Sequence, residues 1–211
     1  MKRILLIKSS LFDGVSTSSQ LGEELVGEIM ANNPGSTLAT LDLAASPIAH
    51  LDGEEFASWT VDPGERNLDQ QRKAGVSDRF IEQLLAHDTL VLSVPMYNLG
   101  IPSTLKAWID RVARAGKTFH YTANGPEGLI KDMKAYMVLT RGGQYHGTPL
   151  DTQTGYLQGI LGLMGISDIE TVYAENLARG ETEREQSISG ARRQIANLTE
   201  AGATQAAIAV G

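Results

Sequence analysis

The segment Asp88 to Val112, DTLVLSVPMYNLGIPSTLKAWIDRV, constrains the fold more than any other stretch of the chain. Thr89 to Val94 is a short apolar run, partly β-branched, which suits a strand buried on both faces of a sheet. Pro95 ends it. A polar turn, Met96-Tyr97-Asn98-Leu99-Gly100, then leads to Pro102, Ser103 and an amphipathic run carrying Leu105, Trp108, Ile109 and Val112. Proline is tolerated in a first helical turn because the amide it lacks has no intrahelical partner there, so a helix is predicted to start near Pro102. The unit is strand, exposed loop, helix. In an open α/β sheet, ligands sit in loops of this kind at the carboxyl ends of the strands.

The same alternation runs through the chain. Arg3 to Lys8 reads as the first strand, and a Ser/Gly-rich loop leads into a helix with Leu21, Leu25, Ile29 and Met30 on one face. Thr37 to Leu43 is a second strand, with Asp42 near its end. Ala44 to Asn67 is loop-like, and connections this long tend to be functional. Leu68 to Ala86 is a helix, and the organising strand and helix follow it. Thr118 to Tyr121 and Gly128 to Ile130 suggest a small hairpin around TANGPEG. Lys134 to Thr140 is the fourth strand, Leu150 to Met164 a helix, Ile169 to Ala174 the fifth strand, and Thr182 to about Ala201 the last helix, with a frayed Ala-rich tail. Alternating strands and helices mean a doubly wound parallel sheet with right-handed crossovers. Five strands fit a flavodoxin-like α/β sheet of order 2-1-3-4-5 with a small hairpin insertion, although strand count does not itself establish order. The 211 residues can bury roughly 70% of their extended surface, so one domain is expected over residues 1–211.

Composition narrows the chemistry. Cysteine is absent, which rules out disulfides, thiol nucleophiles and thiolate metal sites; redox chemistry would need a bound cofactor. A net charge of -7 argues against nucleic acid or an anionic membrane as the main partner. The basic start MKRILLIKSS is followed by too short an apolar stretch for a signal peptide, and no window is long enough to span a membrane. A cytoplasmic protein is expected.

Three loops are candidates for a ligand site. Between Ser9 and Ser19, Ser9, Ser10, Ser16, Thr17, Ser18 and Ser19 place six hydroxyl residues in eleven positions. A helix amino terminus with added hydroxyl donors suits a phosphate. The plainer reading is that Ser16 or Ser18 caps the helix, but one cap accounts for one hydroxyl. Neither the P-loop nor the dinucleotide fingerprint is present, and a phosphate held without lysine or magnesium fits a stationary cofactor better than a transferred group. Pro95 to Ile101 offers the apolar faces of Met96, Tyr97 and Leu99 beside Asn98, suited to a flat ring or simply to covering the sheet edge. Thr140 to Gly143, TRGG, has two glycine amides that can stabilise negative charge on a ring oxygen, or is an ordinary tight turn. The three loops follow the first, third and fourth strands, neighbours in the expected order.

KSSLFDGVSTSSQL, PMYNLGIPSTLKAWIDRVARAGKTFHYTANGPEGL and TRGG together resemble the bacterial FMN-dependent NADH:quinone oxidoreductases known as azoreductases, over most of the chain. The resemblance implies a flavodoxin-like homodimer with one FMN per subunit and active sites at the subunit interface. NADH or NADPH would reduce the flavin by hydride transfer, and quinones or aromatic azo compounds would accept two electrons in a ping-pong cycle. By position, the phosphate-binding residues fall on Ser10, Ser16, Thr17 and Ser18, the ring loop on Met96, Tyr97, Asn98 and Leu99, and the donor turn on Thr140, Arg141, Gly142 and Gly143. The backbone amide of Asn98 would face N5 of the ring, those of Gly142 and Gly143 its N1/O2 edge, and no catalytic side chain beyond the flavin is implied. Relatives often carry Phe at Leu99 and Ser at Thr140. Leu163 stands where relatives place a pocket aromatic, and Trp59, Phe119 and Tyr121 are the other expected pocket residues.

Among the four histidines, His146 follows TRGG closely enough to be weighed as a proton donor to quinone against a flexible loop residue, and no spacing among them resembles a metal site. His87 reads as a partner of its helix carboxyl terminus. Gly155, Gly159 and Gly162 suggest tight internal packing, and Arg111, Arg114 and Lys117 a solvated basic face. A receiver domain is excluded because its acidic strand ends are replaced by Lys8-Ser9-Ser10 and Val94-Pro95-Met96. A flavodoxin-type FMN electron carrier and a nitro- or chromate-directed flavin reductase remain as alternatives.

Overall fold

The computed structural model describes residues 1–12 and 15–209, with side chains through Thr199. Five parallel strands, β1 (Arg3–Lys8), β2 (Thr37–Asp42), β3 (Thr89–Pro95), β6 (Lys134–Thr140) and β7 (Asp168–Ala174), lie in the order β2-β1-β3-β6-β7. That is the expected 2-1-3-4-5 arrangement. The antiparallel pair β4 (Phe119–Thr122) and β5 (Gly125–Gly128) forms a separate hairpin. Helices α1 (Thr17–Asn32) and α6 (Glu181–Ala209) cover one face, while α3 (Leu68–Leu85), α4 (Ser103–Val112) and α5 (Thr152–Met164) cover the other.

All seven residues of β3 are buried. Its side chains alternate between two cores, Leu90, Leu92 and Val94 joining Trp108, Leu157 and Leu161, and Val91 joining Leu25 and Val26. Each such aliphatic side chain contributes about 1.5–3 kcal/mol when withdrawn from water. Burial on both faces therefore anchors the strand whose end carries the Pro95–Ile101 loop. Packing is close enough on the α1 side that a Cβ on Gly22 would lie 1.9 Å from the Ser93 hydroxyl.

Several elements depart from the sequence reading. The long second connection contains a helix, α2 (Gly53–Thr60), whose cap Asp52 accepts from the Glu55 amide at 2.7 Å. The second hairpin strand lies earlier than expected, because Ile130 is drawn into the core, its amide donating to the Met164 carbonyl at 2.9 Å. Gly128 then meets the end of α5 so closely that a Cβ there would lie 2.1 Å from the Gly165 nitrogen. The last helix continues past Ala201 to Ala209, and the tail expectation for residues 210 and 211 lies outside the described residues.

Two expectations are overturned. Arg111 and Arg114 are only 2% and 5% exposed. Arg111 makes a two-pronged ion pair to Glu55 at 2.9 and 2.7 Å and donates to the carbonyls of Ala49 and Ala107, and Arg114 pairs with Asp78 at 2.9 Å. The two arginines are an internal clamp fastening α2 and its approach to α3 and α4, while Lys117 is exposed as expected. Conversely, Gly155, Gly159 and Gly162 are exposed, with nothing beyond the helix's own backbone within 4 Å of where a Cβ would stand on any of them, so among the described residues no other element packs against these positions of α5. Among the described residues no helix is long and apolar enough to cross a membrane.

Candidate functional site

The sheet order brings the loops after β1, β3 and β6 side by side at the carboxyl edge, and specific bonds join them. The Tyr97 hydroxyl lies 3.2 Å from the Ser10 hydroxyl and accepts from the Leu11 amide at 3.3 Å. The Met96 amide donates to the Thr140 carbonyl at 2.8 Å. Gln153, fully buried on α5, donates to the Pro95 carbonyl at 3.2 Å and accepts from Arg141 at 3.3 Å.

In the first loop Ser16 caps α1, accepting from the Ser19 amide, and its hydroxyl lies 2.9 Å from that of Ser18. Ser10, Ser16 and Ser18 are buried at this helix mouth. The amides of Thr17 and Ser18 have no acceptor among the described residues, as a helix's first amides never have one within the helix. They point, with the positive end of the helix dipole, where an anion is favoured. Lys8, at the end of β1, is held by Glu23 at 3.1 Å and Asp42 at 3.3 Å. Burial lowers the lysine's pKa, but those two carboxylates outweigh it and leave the pKa raised. The donors offered here are therefore neutral hydroxyls and amides.

The second loop is a two-residue hairpin turn. Tyr97 and Gly100 exchange amide-to-carbonyl bonds at 3.0 and 2.9 Å, and the central residues Asn98 and Leu99 have φ of +49° and +63°. A type I′ turn requires positive φ at both central positions and normally has Asn followed by Gly. Asn98 suits its place, whereas a left-handed leucine is strained by about 1–2 kcal/mol. Backbone strain of this kind concentrates at functional sites. The Asn98 and Leu99 amides donate to nothing among the described residues, while the Leu99 carbonyl is fixed by the Thr152 hydroxyl on α5.

The third loop is organised from below. The carbonyls of Arg141, Gly142 and Gly143 accept from the amides of Leu177, Ala178 and Asn176 at 3.1, 3.0 and 3.1 Å. The amides of Gly142, Gly143 and Gln144 are left without acceptors among the described residues. The Arg141 side chain is turned inward and fully buried, meeting Asp151 at 2.7 Å, Thr154 at 2.8 Å and Glu175 at 3.1 Å. Burial raises the Asp151 carboxyl, but the Thr154 amide and Arg141 outweigh it and hold the group below its ordinary value. Its backbone is committed as well, the amide donating to the Ala174 carbonyl at 2.9 Å and the carbonyl accepting from Leu177, so Arg141 anchors the turn and presents almost nothing at the surface.

Of the four expected pocket residues, Phe119 and Tyr121 meet on the hairpin, and no aromatic contact among the described residues joins them to Trp59. Trp59 packs against Phe56, with the Arg114 guanidinium 5.0 Å from its ring centre. Phe119 is buried and meets Tyr121 edge-on at 5.5 Å, while Tyr121 is 75% exposed on the hairpin. Leu163 lies in the last turn of α5, beside Gly165 and the hairpin, whereas Thr152 in the first turn touches the ring loop. Along the helix Thr152 and Leu163 are therefore about 16 Å apart. His146 is not a free loop residue, since its ring lies 4.1 Å from that of Tyr173 and 3.6 Å from Asp151. Sequence reasoning missed Asp151, Gln153 and Glu175. The run Asp151-Thr152-Gln153-Thr154 does carry the signal of a helix cap, but nothing in it tells of the buried arginine. Beside the ring loop, His50, Ile101, Lys106 and Tyr156 line an open, mainly apolar groove of about 410 Å³.

The arrangement suits a flat, phosphate-bearing molecule with an electron-rich edge. Neutral donors would suit its phosphate, apolar side chains and a strained turn its ring, and a row of amides without acceptors among the described residues its negative edge. Residues 2–198 match the family model described as flavodoxin-like fold. The chain is 44% identical over 200 residues to an FMN-dependent NADH:quinone oxidoreductase of Alteromonas mediterranea, covering 95% of this chain and 100% of that one. It is 40% identical over 196 residues to the enzyme of the same name from Dechloromonas aromatica, covering 93% and 98%. Among solved structures it resembles an azoreductase from Bacillus anthracis with a TM-score of 0.86 and 27% identity, over 94% of this chain and 99% of that one.

Proposed function

The chain belongs to the family of FMN-dependent NADH:quinone oxidoreductases of flavodoxin-like fold, and from that premise we propose how its residues serve the family's reaction. It is an FMN-dependent oxidoreductase, using NADH or NADPH to reduce quinones and aromatic azo compounds. Bound FMN supplies the two-electron hydride chemistry; the protein supplies binding, orientation and electrostatics.

Ser10, Ser16, Thr17 and Ser18 hold the phosphate through hydroxyls and the first amides of α1. Met96, Tyr97, Asn98 and Leu99 form the seat of the ring, with the Asn98 amide as a donor to it. Gly142 and Gly143 give amides to the ring's negative edge, Thr140 supports the ring loop through its carbonyl, and Arg141 serves through its buried anchoring. No protein acid or base is assigned beyond His146, whose half-exposed ring beside Tyr173 and Asp151 leaves it a candidate proton donor to quinone. The observation that carries the reading is the orientation of the third loop, in which three successive carbonyls are committed beneath the turn while the amides above remain free.

The active form is a homodimer of one-domain chains spanning residues 1–211. The bare glycine face of α5, the exposed Tyr121 and the open groove beside the ring loop support this. Substrate residues then come to each site from the second subunit, and sedimentation at about twice the mass of one chain tests the assembly. The cofactor assignment is tested by the visible spectrum of purified protein. Flavin absorbance that survives desalting, and bleaches anaerobically with NADH, is expected; protein that stays colourless after incubation with excess FMN refutes it.

A further inference from the structure

We propose that Glu175, acting through Arg141, is the positioning residue of the donor turn, and that it makes this chain bind reduced FMN more tightly relative to oxidised FMN than the turn would unaided. The proposal rests on the flavin reading above and adds a residue to it. Two successive glycines are the least constrained backbone in the chain. A peptide flip at Gly142 or Gly143 would put a carbonyl where an amide is needed and reverse the sign of the dipole offered to the ligand. Something outside the turn must therefore hold those peptides.

One carboxylate oxygen does much of this. Glu175 Oε1 accepts from Arg141 Nη1 at 3.1 Å and from the amides of Tyr145 and His146 at 2.8 Å each. It draws both ends of the glycine turn toward the segment whose amides, on Asn176, Leu177 and Ala178, take the turn's carbonyls. Arg141 in turn reaches Asp151, Thr154 and Gln153. Through the bond from Gln153 to the Pro95 carbonyl the same network extends to the strand end that carries the ring loop. Hydrogen bonds to a charged acceptor are about twice as strong as those to a neutral one. Correctly aimed amides thus matter more to a reduced, negatively charged ring than to an oxidised, neutral one, and loosening the turn penalises reduced FMN selectively.

The test separates position from charge. Glu175→Asp keeps the charge but withdraws the carboxylate by one methylene, whereas Glu175→Gln keeps the reach and removes the charge. Dissociation constants for oxidised and reduced FMN are measured anaerobically, with apoprotein melting as a check on folding. In Glu175→Asp the preference for reduced FMN is expected to fall about tenfold, equivalent to a midpoint potential lower by about 30 mV for a two-electron couple. In Glu175→Gln the preference is expected to hold or rise. An unchanged preference in Glu175→Asp, or equal losses for both redox states, overturns the proposal, as does a rise in both variants, which would mean that charge alone acts. If Glu175→Asp does not fold, Arg141→Lys, which keeps the charge but loses the fork that reaches Glu175, carries the same expectation and the same refutation. Wild-type protein that binds no FMN would instead refute the functional reading itself.

Discussion

Glu55→Ala tests whether the clamp between α2 and α4 is internal. The Arg111 side chain is 3% exposed and that of Glu55 9%, and their two hydrogen bonds measure 2.9 and 2.7 Å. Removing the carboxylate leaves Nε and Nη2 of a permanently charged guanidinium unpaired inside the protein, with the carbonyls of Ala49 and Ala107 as the remaining acceptors. Breaking a buried pair in this way costs about 3–5 kcal/mol. At about 2–4 °C per kcal/mol for a chain of this size, the melting temperature should fall by about 6–20 °C, read by calorimetry or circular dichroism. A drop below about 2 °C would mean that the pair behaves as an exposed one, worth no more than about 1 kcal/mol, and would refute the reasoning. Glu55→Leu combined with Arg111→Met is the control, because removing both charges together is often neutral. The double variant should recover most of the lost stability while releasing the Ala49 carbonyl, and with it the neighbouring His50 that lines the groove. Its defect should accordingly appear in acceptor KM more than in melting.

Gly143→Ala would place a Cβ 2.9 Å from the Tyr145 ring, and the displaced turn should weaken FMN binding by about tenfold or more, about 1.4 kcal/mol, measured by fluorescence titration of apoprotein. Leu99→Gly relieves a left-handed leucine and should raise stability by about 1 kcal/mol while loosening the cofactor, two opposite shifts visible in apoprotein melting and FMN titration. Asp151 has a folded pKa below its ordinary value, so its stabilisation is complete above about pH 4 and is lost as the pH falls through the lower folded value. Asp151→Asn should therefore lose less stability than wild type between pH 5 and pH 3, judged from melting curves.

The fold was legible where burial is two-sided or strictly periodic. Runs such as Thr89 to Val94 and Lys134 to Thr140 have no reading except a covered parallel strand, and strand, loop and helix spacing then leaves few topologies. Legibility failed where tertiary contacts outweigh local pattern. The helix Gly53–Thr60 is eight residues long, too short for its periodicity to stand out, and it persists because Glu55 reaches an arginine 56 positions away. The hairpin strand was misplaced because Ile130, a natural strand residue, serves the core better than the hairpin.

The three loops of the candidate site were legible by a different logic. The contacts proposed for the cofactor are backbone amides, hydroxyls and apolar faces, and these leave their mark as glycine pairs, serine clusters and helix starts. Its stability rests on long side chains whose charges are hidden. A buried arginine and an exposed one read identically in a sequence, because the distinction lies in whether Asp151 and Glu175, 10 and 34 positions away, fold back upon Arg141. The same blindness explains the glycines of α5. Gly155, Gly159 and Gly162 signal close approach by another backbone, and spacing alone cannot say whose. Among the described residues nothing beyond the helix's own backbone comes within 4 Å of where their Cβ atoms would stand, and Leu163 lies about 16 Å along the same helix from Thr152, which touches the ring loop. The internal packing expected of those glycines thus fails, and under the homodimer proposed above the face they leave bare is one that a second subunit would cover.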